Sequence, residues 1–454
     1  MNNSMITEQS HSDTYELPSA RSILALALPA LGVLIATPLF LLLDTAAVGR
    51  FGGGEFLAAL ATGTTLFSIV TTQLTFLSYG TTARSARYFG AGDRSSAIAE
   101  GVQATWVGIA VGIVLALIMW FGAPWFSLWI SANSEVSELA TTWLRITSFA
   151  IPMVLCSMAG NGWLRGIQNT KLPLIFTLLG LGPGAVLILV LVHRYGIVGS
   201  AWATLAAEAI MAGLFVGALV LMHKGSWAPD ARIIKDQLIL GRDLIVRSLA
   251  FQVAFLSAAA VAGRISAQAL GAHQVLLQLW NFFSLLLDSL AIAAQTLVGA
   301  ALGAQSLKAA RQVGQRILLY SLGFSVLLAA VLAASYRMVP PLFTTDQSVL
   351  KEIAGPWWQL VFMIIVAGVV FALDGVLLGA ADAAYLRTTT LIGVLGGFLP
   401  GVWIANYFGL GLQGVWWGIL AFMMIRFFSV VGRFYSMKWA SRALASNYAT
   451  YTER

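Results

Sequence analysis

Charge is what this sequence most lacks. Only 10% of its 454 residues are Asp, Glu, Lys or Arg, against roughly 25% in an ordinary soluble domain. So few charges cannot cover the surface of a soluble chain this long. A soluble enzyme, a nucleic-acid-binding module and a disordered chain are therefore excluded. Cysteine is nearly absent. Cys156 is the single one, which rules out an intrachain disulfide or a cysteine-based metal cluster, and in its apolar run it reads as a small core residue. The four histidines, His11, His193, His223 and His273, are scattered without metal-ligand spacing. No phosphate loop ending in Gly-Lys-Ser/Thr and no His-Glu-x-x-His pair occurs. Neither an enzyme nor an ATP-driven pump is expected, and neither is a metal or a cofactor.

What is present is apolar. Hydrophobic residues make up 59% of the chain, and the mean hydropathy is +0.83. A spanning helix takes about 20 residues, so twelve use about 240. Apolar runs predict twelve spans near 21–48, 56–80, 97–121, 138–160, 172–192, 197–222, 243–263, 273–300, 312–335, 356–380, 387–406 and 411–434. The fold class is an all-α polytopic membrane protein. Residues 1–17 are polar, with acidic Glu8, Asp13 and Glu16, unlike the basic start of a secretory signal. The run from Ile23 to Leu43 is accordingly the first span. The longest polar break, 223–242, falls mid-chain.

The net charge of +7 belongs to the loops. Seventeen Lys and Arg lie in the tails, the central break and the loops on one side, against five (Arg50, Arg194, Arg264, Arg337, Lys351) on the other. Arg145, Arg247, Arg316 and Arg426 fall within or at the ends of helices. This bias predicts a cytoplasmic tail 1–20, linker 223–242 and tail 439–454.

The two halves match. Gly49-Arg50 returns as Gly263-Arg264, Gly90-Ala91 as Gly303-Ala304, Gly166 as Gly379 and Gly199 as Gly414, at offsets of 213 to 215. One glycine match is chance; four in order at matching places imply duplication. Six spans per copy give parallel repeats, an architecture of secondary transporters: one lobe at 21–222 and a second at 243–438.

Four carboxylates interrupt apolar runs: Asp44 in helix 1, Glu208 in helix 6, Asp288 in helix 8 and Asp374 in helix 10. An ionisable group at bilayer depth is costly unless it faces protein or water. Any one of them is either a structural partner locking helices together or part of an ion path. The four together favour a proton or cation path, with Arg247 placed to neutralise one of them. Pro38, six residues before Asp44, is either a fixed bend or a hinge, and Pro183 within Gly182-Pro183-Gly184 breaks helix 5 in the same way. Trp280, with Phe282 and Phe283, is a candidate to line a cavity.

The chain resembles the multidrug and toxic compound extrusion (MATE) transporters, specifically the DinF branch, from Ala20 to about Lys438. The resemblance rests on the helix 1 pattern from Leu26 through Asp44 to Gly52, on Gly80-Thr81-Thr82-Ala83 before Phe89-Gly90-Ala91-Gly92, and on Gly160-Asn161-Gly162-Trp163-Leu164-Arg165-Gly166. Arg247-Ser248-Leu249, Leu287-Asp288, and Leu373-Asp374-Gly375 with Gly379-Ala380 add the second half. It implies a V-shaped pair of six-helix lobes and export of an organic compound against an entering proton or sodium ion. It implies ion coupling at Asp44, with Asn161, Thr204 and Asp374 at further site positions. Many relatives carry an Asn and an Asp four apart in helix 5, where Gly182 and Val186 align here. Two missing oxygen ligands favour proton over sodium.

The expected function is therefore proton-coupled export of a lipophilic or cationic compound through the cell (inner) membrane. The alternatives are sodium coupling, or flipping of a lipid-linked precursor, which calls for several cavity arginines. The expected partners are the small organic substrate and the bilayer, with no nucleic acid, and the expected state is a monomer.

Overall fold

The computed structural model of the protein describes residues 17–131 and 133–441. Most of both expected tails, with His11, Arg442 and Arg454, lies outside the described residues. Helices long and apolar enough to span a membrane are α1 (Ala20–Phe51), α2 (Gly53–Gly90), α3 (Arg94–Ser131), α5 (Lys171–Tyr195), α6 (Ile197–Met222), α7 (Ala231–Ile265), α8 (Ala267–Gly303), α9 (Leu307–Ala334), α10 (Gln347–Gly379), α11 (Ala383–Tyr407) and α12 (Gly411–Tyr435). The pair Ser134–Ser148 and Ala150–Gly166, bent by 46°, forms α4 as a twelfth span.

Local chemistry sets the boundaries. Gly53, at φ 76°, separates α1 from α2, because that left-handed region is open to glycine at little cost. Ser19, Asn133, Ser266, Ser306 and Asp346 cap α1, α4, α8, α9 and α10, each side chain accepting from a first-turn N–H. Asp230 does the same for α7, from Arg232 and Ile233.

That last cap corrects the central linker. The break expected over 223–242 is helical from Ala231 onward, so the second half of the polar stretch is the first turns of α7. Helix α1 includes Pro29 and Pro38, and α5 includes Pro183. The chain leaves helical geometry at Gly53. Helix α11 contains a π-helical turn at Val394–Phe398 just before Pro400. A missing proline N–H leaves a carbonyl one turn back free to shift its pairing.

The duplication is physical. In the first lobe, a β-carbon at Gly162 of α4 would meet the Ser78 carbonyl and Thr81 of α2; in the second, one at Gly375 of α10 would strike the backbone of Ala291 in α8. Gly375 and Ala291 each lie 213 residues beyond Gly162 and Ser78. Helices α8 and α10 form the most buried part of the molecule, while α3 presents Phe121, Trp125 and Trp129 outward. The protein is an all-α membrane protein of two six-helix lobes.

Candidate transport site

A cavity of about 360 Å³ lies where the second lobe meets α2. Tyr79 and Phe76 line it from α2, Arg247, Phe251 and Phe255 from α7, Trp280 and Asp288 from α8, Phe371 and Asp374 from α10, and Phe422 and Arg426 from α12. Helical spacing explains the convergence: Arg247, Phe251 and Phe255 sit at i, i+4, i+8 on one face, as do Phe422 and Arg426.

Asp374 is the charged centre. Arg247 Nη2 reaches its Oδ2 at 2.5 Å, and Arg426 Nη2 lies 2.6 Å from Oδ1 and 2.5 Å from Oδ2. Three helices, α7, α10 and α12, are thereby tied at one carboxylate. A buried carboxylate needs such partners, because desolvation alone would penalise it by several kcal/mol. Both guanidiniums also flank the Phe251 ring, with centroid distances of 5.6 and 5.4 Å, near enough for cation–π attraction.

Asp288 takes a different partner. The Tyr79 hydroxyl donates to its Oδ2 at 2.8 Å, a hydrogen bond between the two lobes. Gln295 of α8 donates to the Tyr79 carbonyl at 2.6 Å. Arg165, buried on α4, stands within electrostatic reach of Tyr79 and Asp288.

The first lobe holds a second polar centre. Asp44 is 1% exposed. Its Oδ2 accepts from the Ser200 hydroxyl at 2.8 Å, which accepts from Trp143 Nε1 at 3.0 Å. Among the described residues its Oδ1 has no partner. Helices α1, α6 and α4 thus meet at Asp44 through a serine four residues before Thr204.

The anticipated residues distribute unevenly. Arg247, Asp288 and Asp374 meet at the cavity. Asn161 is half-buried on α4, its Nδ2 donating to the Ser157 carbonyl and its Oδ1 unpartnered. Thr204 is buried. Neither makes a hydrogen bond to Asp44 among the described residues. Glu208 is half-buried mid-α6 with one carboxylate oxygen enclosed and unpartnered. Gly182 and Val186 lie on the exposed face of α5, and a β-carbon at Gly182 would meet nothing. Trp280 lines the cavity and Phe283 is buried, but Phe282 is exposed. No group of three or more His, Cys, Asp or Glu able to hold a metal occurs among the described residues.

Sequence reasoning missed Ser200, Trp143, Tyr79, Arg165 and Arg426 as site members. Arg426 carried a signal, since a charge within a spanning run needs a partner. Ser200 shares a helical face with Thr204. Tyr79 carried no signal of its own.

The MatE family model matches residues 29–190 and 244–403, one stretch in each lobe. The chain belongs to the MATE family. Protein DETOXIFICATION 44, chloroplastic, of Arabidopsis thaliana is 31% identical over 89% of this MATE chain and 80% of its own length. DNA damage-inducible protein F of Escherichia coli (strain K12) is 27% identical over 90% of each, in line with the DinF branch. A crystal structure of a MATE protein in the bent conformation superposes with a TM-score of 0.84 at 20% identity, covering 95% of this chain and 96% of that one. An outward-facing multidrug resistance MATE family transporter gives 0.82 at 20% identity, over 92% and 96%. MATE proteins are membrane-embedded transporters of small molecules, and this chain is one of them.

Proposed function

We propose that this MATE protein exports organic compounds in exchange for protons by alternating access. The observation that carries this reading is Asp44: a buried carboxylate with one oxygen bound to Ser200 and the other without a partner among the described residues. An unpartnered anionic oxygen away from water is costly, and a proton relieves it. One carboxylate suffices to carry a proton, whereas sodium wants several oxygens, and Asp44 has a single side-chain partner. Each entering proton contributes about 2.3 kcal/mol per 100 mV of membrane potential. The cavity at the lobe interface supplies a compartment for the exported compound. The protein sits in the cell membrane with both termini and the 223–230 segment in the cytoplasm, and works as a monomer without a cofactor.

The test is efflux from proteoliposomes with the pH and sodium gradients imposed separately at fixed potential. The pH gradient should drive efflux of the wild type, and Asp44→Asn, a mimic of the protonated form, should abolish it while the protein remains folded. Sodium-driven efflux, or wild-type efflux by a folded Asp44→Asn protein, overturns the reading.

A further inference from the structure

The cavity in the second lobe holds more cationic donors than its carboxylates use. Arg247 and Arg426 each spend only Nη2 on Asp374. Among the described residues no hydrogen bond uses Nη1 or Nε of either, and both Nε atoms are enclosed without a partner. Arg426 is 2% exposed. Buried N–H groups left unmade are expensive, and a guanidinium engaged through one nitrogen keeps the donors of another for a second oxyanion.

The cavity's other carboxylate is shared among several groups. Asp288 accepts from Tyr79, and both Arg165 of the first lobe and Arg247 act on it electrostatically. An organic cation entering here would meet two carboxylates already engaged and two guanidiniums with donors to spare. Five aromatic rings line the remaining wall, Phe251, Phe255, Trp280, Phe371 and Phe422, beside aliphatic residues and Asn281, Ser248 and Ser284. The volume of about 360 Å³ falls in the range of about 300–1,000 Å³ typical of small-molecule pockets.

We infer that this cavity binds an aromatic organic anion, with its carboxylate on the Nη1 groups of Arg247 and Arg426 and its ring among Phe251, Trp280 and Phe422. The inference rests on the export reading for its purpose, and it reverses the cationic substrate expected from the intramembrane carboxylates. The Arg pair acts as the specificity element, holding Asp374 as a counter-ion until the substrate anion arrives.

Binding is measured without any gradient, by isothermal titration of the full chain in phosphatidylcholine nanodiscs. The probes are 2-naphthoate, its neutral analogue 2-naphthalenemethanol and the cation tetraphenylphosphonium. Naphthoate should bind at least tenfold more tightly than the other two. Arg247→Gln should weaken naphthoate at least tenfold more than it weakens the neutral analogue, while Arg247→Lys, which keeps the charge, should retain part of the preference. If Arg247→Gln does not fold, the wild-type ligand series and Arg247→Lys decide. Equal affinity for naphthoate and its neutral analogue, or tighter binding of tetraphenylphosphonium, overturns the inference. Naphthoate binding without pH-driven efflux would sink the export reading alone; pH-driven efflux of tetraphenylphosphonium without naphthoate binding would sink this inference alone.

Discussion

Gly90 of α2 rests on the backbone of Ala300 in α8 so closely that a β-carbon would overlap its carbonyl. The reverse contact exists as well: a β-carbon at Gly303 of α8 would overlap the carbonyl of Arg87 in α2. Gly303 is 213 residues beyond Gly90, and Ala300 is 213 beyond Arg87. The two lobes therefore meet through one contact made twice, as in a two-fold interface where residue i touches j and j touches i. The sequence repeat and the lobe seam are one feature.

The first prediction concerns this seam. Adding a methyl at Gly303 forces two backbones apart, and overpacking of this kind costs about 1–3 kcal/mol. The contact joins the lobes and is internal to neither, so the cost falls on the arrangement in which α2 and α8 touch. Hydrogen–deuterium exchange of Gly303→Ala should accelerate in peptides spanning 83–92 and 296–306, with α4 and α10 unchanged. A uniform rise across the chain would show that the substitution merely destabilises the second lobe.

The cluster around Asp374 gives a second prediction. Asp374→Asn leaves two buried guanidiniums without their anion, a loss of about 3–5 kcal/mol, read as a lowered thermal unfolding midpoint. Combining it with Arg426→Gln should recover part of that loss, because one orphaned charge is gone. Asp288→Asn and Arg247→Gln share no hydrogen bond, but Arg247 acts on Asp288 electrostatically across the cavity, so their effects should depart from additivity by about 0.5 kcal/mol or more. Strict additivity for Asp374 with Arg426 would count against their pairing as the structure shows it.

Ser200 yields a third. It serves Asp44 and Trp143 together, so Ser200→Ala strands a carboxylate oxygen and an indole N–H in a buried place. Each orphan costs about 1–3 kcal/mol. Efflux under a pH gradient should fall along with the melting temperature. Trp143→Phe combined with Ser200→Ala should melt higher than Ser200→Ala alone, since the stranded donor is removed. A lower midpoint for the double variant would show that Trp143 contributes mainly packing.

The architecture was legible because spans are long and the bilayer forces every backbone group to pair within its own helix. Twelve apolar runs and four repeated glycines were enough for the two six-helix lobes. Boundaries were read less well. The polar stretch from Ala231 to Arg242 hid a helix, since Asp230 caps it and an amphipathic start looks like a loop to an apolarity count. Pro38 and Pro183 lie inside helices, and the break between α1 and α2 came at Gly53. At the site, carboxylates were visible because a lone charge in an apolar run is conspicuous. Their partners were not. Tyr79 and Ser200 are unremarkable in sequence, and only the packing of α2 against α8 and of α6 against α1 brings them to Asp288 and Asp44. The arginines were less legible for the same reason, because each carboxylate stands out singly whereas Arg247 and Arg426 matter as a pair at Asp374.

The segment between the lobes supports the last prediction. It is pinned to α3 by three bonds: Trp106 Nε1 to the Trp227 carbonyl at 2.8 Å, Gln103 Nε2 to the Ala228 carbonyl at 3.0 Å, and the Asp230 N–H to Gln103 Oε1 at 2.8 Å. Gln103 is 5% exposed and makes two of the three. Gln103→Ala should therefore free the segment locally without disturbing either lobe. Lys224 lies exposed within it, a trypsin site whose cleavage requires the backbone to leave its anchored position. Trypsin should cut after Lys224 in inverted membrane vesicles, severalfold faster for Gln103→Ala than for wild type, and should leave it intact in right-side-out vesicles. Cleavage in right-side-out vesicles would overturn the cytoplasmic placement derived from the basic residues. An unchanged rate in inverted vesicles would show instead that Gln103 is not what holds the segment against α3.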